Sequence, residues 1–80
     1  MNVEYSSQAV ADLDSLPLRH AEQVARKIAR LQNGLVGDIK ALTNATQGYR
    51  LRSGDYRVLF DLDGDTILIR SIKNRRDAYS

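Results

Sequence analysis

Between residues 18 and 31 apolar side chains recur at spacings of three and four, as Leu18, Ala21, Val24/Ala25, Ile28 and Leu31. That period gathers them on one stripe of a helix, with Arg19, Glu22, Gln23, Arg26, Lys27 and Arg30 on the other side. Pro17 suits the first turn, where its missing N–H costs nothing. Asn33-Gly34 ends the helix, glycine taking the left-handed position. Upstream, Val3 and Tyr5 alternate with polar neighbours and predict a short strand over residues 2–6. Ser6 or Ser7 can cap a second helix running to about Ser15, with Ala9, Val10 and Leu13 facing inward. The two helices read as an αα-hairpin.

From Gly48 the period changes to two. Tyr49 to Ser53, Tyr56 to Leu62 and Thr66 to Ile72 read as three strands joined by the turns Gly54-Asp55 and Asp63-Gly64. Residues 35–47 form a polar connection that Ile39 and Leu42 anchor to the core. The order β-α-α-β-β-β implies a single α+β domain over residues 1–80, an antiparallel twisted sheet with the helical hairpin packed on one face.

Tight turns set the register, and the register places the arginines. Around Gly54-Asp55, Arg52 lies opposite Arg57 and Leu51 opposite Val58. Around Asp63-Gly64, Phe60 is expected opposite Ile67, Val58 opposite Ile69 and Arg57 opposite Arg70. Side chains alternate between faces, so Tyr49, Leu51, Val58, Phe60, Ile67 and Ile69 share an apolar face. Arg50, Arg52, Arg57 and Arg70 share the other, with Leu59 and Leu68 between them. Like charges directly opposite one another destabilise a sheet by a few tenths to about 1 kcal/mol per pair. Asp61, Asp63 and Asp65 cluster at the far end, Asp61 roughly 13 Å from Arg57. Lys73, Arg75, Arg76 and Tyr79 leave the last strand beside the arginine row. This arrangement predicts a polyanion site. His20 reads as a solvated helix residue, and Tyr49, Tyr56 and Phe60 as packing.

Composition narrows the options. The chain has 80 residues, 42% hydrophobic and 28% charged, the pattern of a small soluble globular domain. The absence of cysteine excludes thiol catalysis, disulfides and thiolate metal sites, and it fits a cytoplasmic address. A single histidine argues against a histidine metal centre or a Ser-His-Asp arrangement. Neither a membrane span nor a leader is expected. Residues 1–48 hold five basic and five acidic side chains, whereas residues 49–80 hold seven basic and five acidic. The net charge of +2 therefore resides entirely in the strand region.

The run Gly48-Tyr-Arg-Leu-Arg-Ser-Gly-Asp-Tyr-Arg-Val-Leu-Phe, followed by Ile72-Lys-Asn-Arg-Arg-Asp-Ala-Tyr79, resembles the RelE/ParE toxins of bacterial toxin–antitoxin pairs. The resemblance extends to the Val3–Tyr5 strand, the helix pair with its Leu-Pro junction and the Ile39–Leu42 segment. It implies an antiparallel sheet backed by a helical hairpin, and an antitoxin as partner in a hetero-oligomer. In the RelE-like branch it implies ribosome-dependent cleavage of mRNA, without cofactor or metal. The catalytic positions carried over are Arg57, Arg75 and Tyr79. Arg50, Arg52, Arg70, Lys73 and Arg76 would bind RNA phosphates, and either Arg75 or Arg76 could fill the tail arginine's place. The sequence departs from the family pattern at Gly48 and Arg50, which replace two lysines, and at Asn74, which replaces a histidine. The alternatives are a ParE-like inhibitor of DNA gyrase and a catalytically inactive antitoxin-binding module.

Overall fold

The computed structural model describes residues 1–42 and 48–74. Its elements are β1 (Asn2–Tyr5), α1 (Ser7–Asp14), α2 (Leu18–Ala29), a 3-10 turn (Arg30–Asn33), β2 (Ile39–Ala41), β3 (Tyr49–Ser53), β4 (Tyr56–Asp63) and β5 (Thr66–Asn74). The α+β architecture and the expected element order hold, with two additions. Residues 39–41, expected as part of a connection, form an edge strand on β3. The sheet order is β1-β5-β4-β3-β2, and β1 runs parallel to β5 while every other pair is antiparallel.

One sheet face and the helices enclose the core. Leu51, Val58, Phe60, Ile67, Ile69 and Ile72 pack against Ala9, Val24, Ile28 and Leu31, all buried. Tyr49 stacks on Phe60 with ring centroids 5.4 Å apart. Pro17 stands one residue before the helix and serves as its N-cap. Leu18 thereby falls at the first helical position and is 75% exposed, contrary to the inward placement its spacing predicted. Val10 is likewise exposed, because Ala9 and Leu13 already fill the narrow contact of a helix only eight residues long.

Helix α1 also closes a sheet edge. The pairing of β1 with β5 stops at Tyr5 and Ile69. Beyond it, the Ser6 Oγ donates to the Arg70 carbonyl (2.8 Å) while accepting from the Ala9 N–H (3.1 Å). Nearly two turns later the Asp12 carboxylate accepts the Ile72 N–H at 2.9 Å. Side chains thus replace the missing strand, which satisfies backbone groups that would otherwise be exposed.

The β4–β5 hairpin corrects the expected register. The turn residues are Gly64 and Asp65, so Asp63 pairs with Thr66. Glycine is needed at the first turn position, where φ is 60°, as it is at Gly54 with φ 59°. This moves the pairing by two residues and leaves the faces unchanged, Phe60 opposite Ile69. A bulge at Leu59/Phe60 then leaves Arg70 as an extra residue between Ile69 and Ser71. Past the bulge the faces of β5 exchange. Ile72 turns into the core opposite Val58, and Lys73 turns outward opposite Arg57.

A candidate nucleic-acid interface

The sheet face turned away from the core carries the predicted cations, rearranged. Arg52 faces Arg57, as expected from the β3–β4 turn. Arg57 faces Lys73 and not Arg70, because of the corrected turn and the bulge. Three cations therefore still form a row across three strands, with lysine as the third. On the flank, Arg50 lies opposite Lys40 of β2, a further cation beside the expected set.

Arg57 is 7% exposed, at the centre of the row. A guanidinium keeps its charge in any protein setting, and withdrawing it from water weakens the screening of that charge. Among the described residues, Arg52, Lys73 and Lys40 make no ion pair. Arg50 approaches the exposed Asp38 at 3.8 Å, a surface pair that contributes at most about 1 kcal/mol. The Arg50 Nε is buried and has no hydrogen-bond partner among the described residues. A buried donor left so costs about 1–3 kcal/mol. The face is therefore a positive surface whose exposed Arg52 and Lys73 can meet phosphate oxygens.

Arg70 stands apart. Its Nη1 lies 3.4 Å from Asp61 Oδ2, and Asp61 Oδ1 accepts the Gly48 N–H at 3.2 Å. The acid expected to sit far from the arginine row thus holds Arg70, since the corrected turn shifts that residue along β5 toward it. Gly48 is tightly enclosed. A Cβ added there would meet the Phe60 carbonyl oxygen at 2.9 Å and the Asp61 Cα at 3.2 Å.

Beside the row, a groove of about 730 Å³ runs along β5, with Leu59 and Leu68 at its apolar base, Gln8 and Asp12 on the α1 wall, and Arg70 and Lys73 among its lining. This volume is in the range of small-ligand sites. Lys73 belongs to both groove and row. The signal for the groove was present in the sequence only as Ser6 and Asp12, whose pairing with β5 depends on the bulge.

His20 is half-buried rather than solvated. Its Nδ1 lies 2.9 Å from the Tyr56 hydroxyl, and the rings meet edge to face. Tyr56 is a buried packing residue that fastens α2 to the start of β4, one residue from Arg57. Arg75, Arg76 and Tyr79 lie outside the described residues. No helix among the described residues is long and apolar enough to cross a membrane.

A helical hairpin on a five-stranded, mainly antiparallel sheet, with cations opposed across the outer face, defines a small α+β domain built around positive charge. Over residues 3–79 the chain matches the model of the family described as ParE toxin of type II toxin-antitoxin system, parDE. It is 31% identical over 84 residues to Toxin RelE3 of Methanocaldococcus jannaschii, covering 99% of this chain and 96% of that protein. The RelB–RelE antitoxin–toxin complex from Methanococcus jannaschii contains a similar chain, with TM-score 0.80, 29% identity and coverage of 95% and 94%. The toxin–antitoxin complex RelBE2 from Mycobacterium tuberculosis contains another, with TM-score 0.82, 26% identity and coverage of 92% and 96%. The chain belongs to the RelE/ParE family of toxins of type II toxin–antitoxin systems.

Proposed function

We propose that this toxin is a ribosome-dependent mRNA endonuclease held in check by a cognate antitoxin. The observation that carries the reading is the row Arg52, Arg57 and Lys73, with the central guanidinium buried. The RelE names and the antitoxin complexes of its relatives support it.

In the proposed reaction the ribose 2′-oxygen bonds to its own 3′-phosphorus and the 5′-oxygen of the next nucleotide leaves. The 2′-proton passes to a base, and a proton is returned to the leaving oxygen. The products are a 2′,3′-cyclic phosphate and a 5′-hydroxyl. Charge builds on the phosphorane oxygens, so the largest contribution is fixed positive charge aimed at them. Arg57 supplies it from the sheet and Arg75 from the tail. Arg50, Arg52 and Lys73 hold neighbouring phosphates, with Arg76 contributing from the tail, while Arg70, paired with Asp61, adds little. Tyr79 exchanges the protons. A phenol titrates near 10 in water, and flanking guanidiniums favour its phenolate. Such a base is weak, so the ribosome must hold the mRNA in line for attack.

The test is expression of Arg57→Ala, Arg75→Ala and Tyr79→Phe with primer extension on mRNA from the same cells. Loss of ribosome-dependent cuts in each supports the reading, and full cleavage by all three removes it. The match to the ParE model favours a second reading, inhibition of DNA gyrase. Under that reading the purified toxin blocks supercoiling and leaves mRNA intact.

A further inference from the structure

The outer face of α2 carries a second set of cations on the other side of the molecule from the row. Arg26, Lys27 and Arg30, with Gln23, line a groove of about 260 Å³ whose other wall is Ser53 and Gly54 of the β3–β4 turn. All three cations are exposed, and among the described residues none makes an ion pair. Glu22 stands four residues before Arg26 and Asp55 follows Gly54, yet neither carboxylate lines the groove.

Helix electrostatics account for part of this cluster. Cations are favoured in the last turn of a helix, where Arg26 and Lys27 sit. Arg30, the C-cap residue of α2, shares that favourable end, yet it stands four residues from Arg26 and three from Lys27, spacings at which like charges repel. Ser53, itself buried, and Gly54 close the other side of this small concave space. Two guanidiniums and an ammonium lining one groove suit tetrahedral phosphate oxygens, which accept from several directions at once.

We propose that this groove seats a backbone phosphate of folded RNA, as an anchoring contact separate from the cleavage face. The inference rests on the reading that the toxin works on the ribosome. Arg52 emerges on the opposite side of the same turn. A polymer with repeating phosphates can therefore hold both faces of one hairpin. The groove residues contribute to docking, and they do not touch the reacting atoms.

The test uses the full chain with Arg26→Gln, Lys27→Gln and Arg30→Gln combined, and purified 30S ribosomal subunits as the probe. Binding is measured across a potassium chloride series, mRNA cuts are mapped at saturating ribosome, and antitoxin affinity is measured in parallel. Each phosphate contact contributes about 0.7–0.9 to the slope of log affinity against log salt. The triple variant, which loses one such contact, should lower that slope by about 0.7–0.9 and weaken binding roughly three- to tenfold. Its cleavage at saturation and its antitoxin affinity should match wild type. Arg26→Lys with Arg30→Lys retains the charge and should stay near wild type. A triple variant that binds subunits with unchanged affinity and slope overturns the inference, whether or not the wild type cuts mRNA. A lowered slope with no cuts by the wild type upholds the groove and overturns the nuclease reading instead. Loss of antitoxin affinity alone assigns the groove to an acidic protein segment and also overturns the RNA assignment.

Discussion

Gly48→Lys would restore the cation that the RNase branch of the family carries at this place, and the structure predicts harm from it. Any side chain there begins with a Cβ 2.9 Å from the Phe60 carbonyl oxygen and 3.2 Å from both the Asp61 Cα and its Oδ1. Two of these atoms are backbone of a central strand, so the clash cannot be relieved by a rotamer change. The same backbone makes two hydrogen bonds, Gly48 N–H to Asp61 Oδ1 (3.2 Å) and Leu42 N–H to the Gly48 carbonyl (3.0 Å). Overpacking of this kind costs about 1–3 kcal/mol, and each lost hydrogen bond costs about 0.5–1.5 kcal/mol. A total of about 2–6 kcal/mol lowers the melting temperature of so small a domain by about 10 °C or more. Displacing Asp61 also releases Arg70 from its ion pair. Thermal unfolding followed by far-ultraviolet circular dichroism, with Gly48→Ala as the control for the Cβ alone, reads the effect. Both variants should melt well below wild type, and the lysine should not raise cleavage. A Gly48→Lys protein that melts within about 2 °C of wild type would refute the steric argument.

Further outcomes follow from the same geometry. Lys73→Ala should lower ribosome-dependent cleavage by about 10–100-fold, the loss of a charge-assisted contact of about 1.5–3 kcal/mol. Arg70→Ala should change it less than about threefold, since Asp61 already holds that guanidinium in a solvent-exposed pair. Primer extension on both variants compares them directly. Tyr56→Phe removes the hydrogen bond to His20 and should cost about 0.5–1.5 kcal/mol in a denaturant melt, with the packing of the ring retained. Burial raises the Tyr5 phenol above its ordinary value of 10.0, so the folded state holds that proton more tightly than the unfolded chain. The stability it contributes is complete below pH 10 and is lost as the pH rises through the raised value. Tyr5→Phe should flatten that part of the alkaline unfolding profile.

Much of the architecture was legible because local chemistry specifies it. The stripe from Ala21 to Leu31 revealed α2, whose last expected turn tightens into the 3-10 segment, and of the two serines offered as the cap of α1 the structure uses Ser6. Gly54-Asp55 fixed the β3–β4 register to the residue, including Arg52 opposite Arg57. The β4–β5 hairpin was not legible in the same way. Asp63-Gly64-Asp65 contains two plausible two-residue turns, and the choice is made by the need for glycine at the first position. The bulge leaves no mark in composition. It is stabilised by contacts distant in sequence, Ser6 with the Arg70 carbonyl and Asp12 with the Ile72 N–H. The two-residue shift of the turn and that one inserted residue together exchanged Arg70 for Lys73 in the row and left Arg70 beside Asp61. Strand β2 escaped notice because three residues, Ile39, Lys40 and Ala41, show too little alternation to announce a strand, and with it Lys40 was missed. The parallel pairing of β1 with β5 joins the two ends of the chain, beyond the reach of any local pattern.

The central claim is that a buried guanidinium, opposed by cations from both neighbouring strands, stabilises charge on a cleaved RNA phosphate. Arg57→Lys tests it most directly in a translation system programmed with a defined mRNA, with cleavage rates measured at saturating toxin and fragment ends assigned by chemistry. The account predicts wild-type cuts ending in 2′,3′-cyclic phosphate, and a rate about 10²–10³-fold lower for Arg57→Lys with its fold intact, because an ammonium cannot reproduce the bidentate fork. Wild-type rates from Arg57→Lys and from Arg57→Ala, at unchanged cut sites, would contradict it.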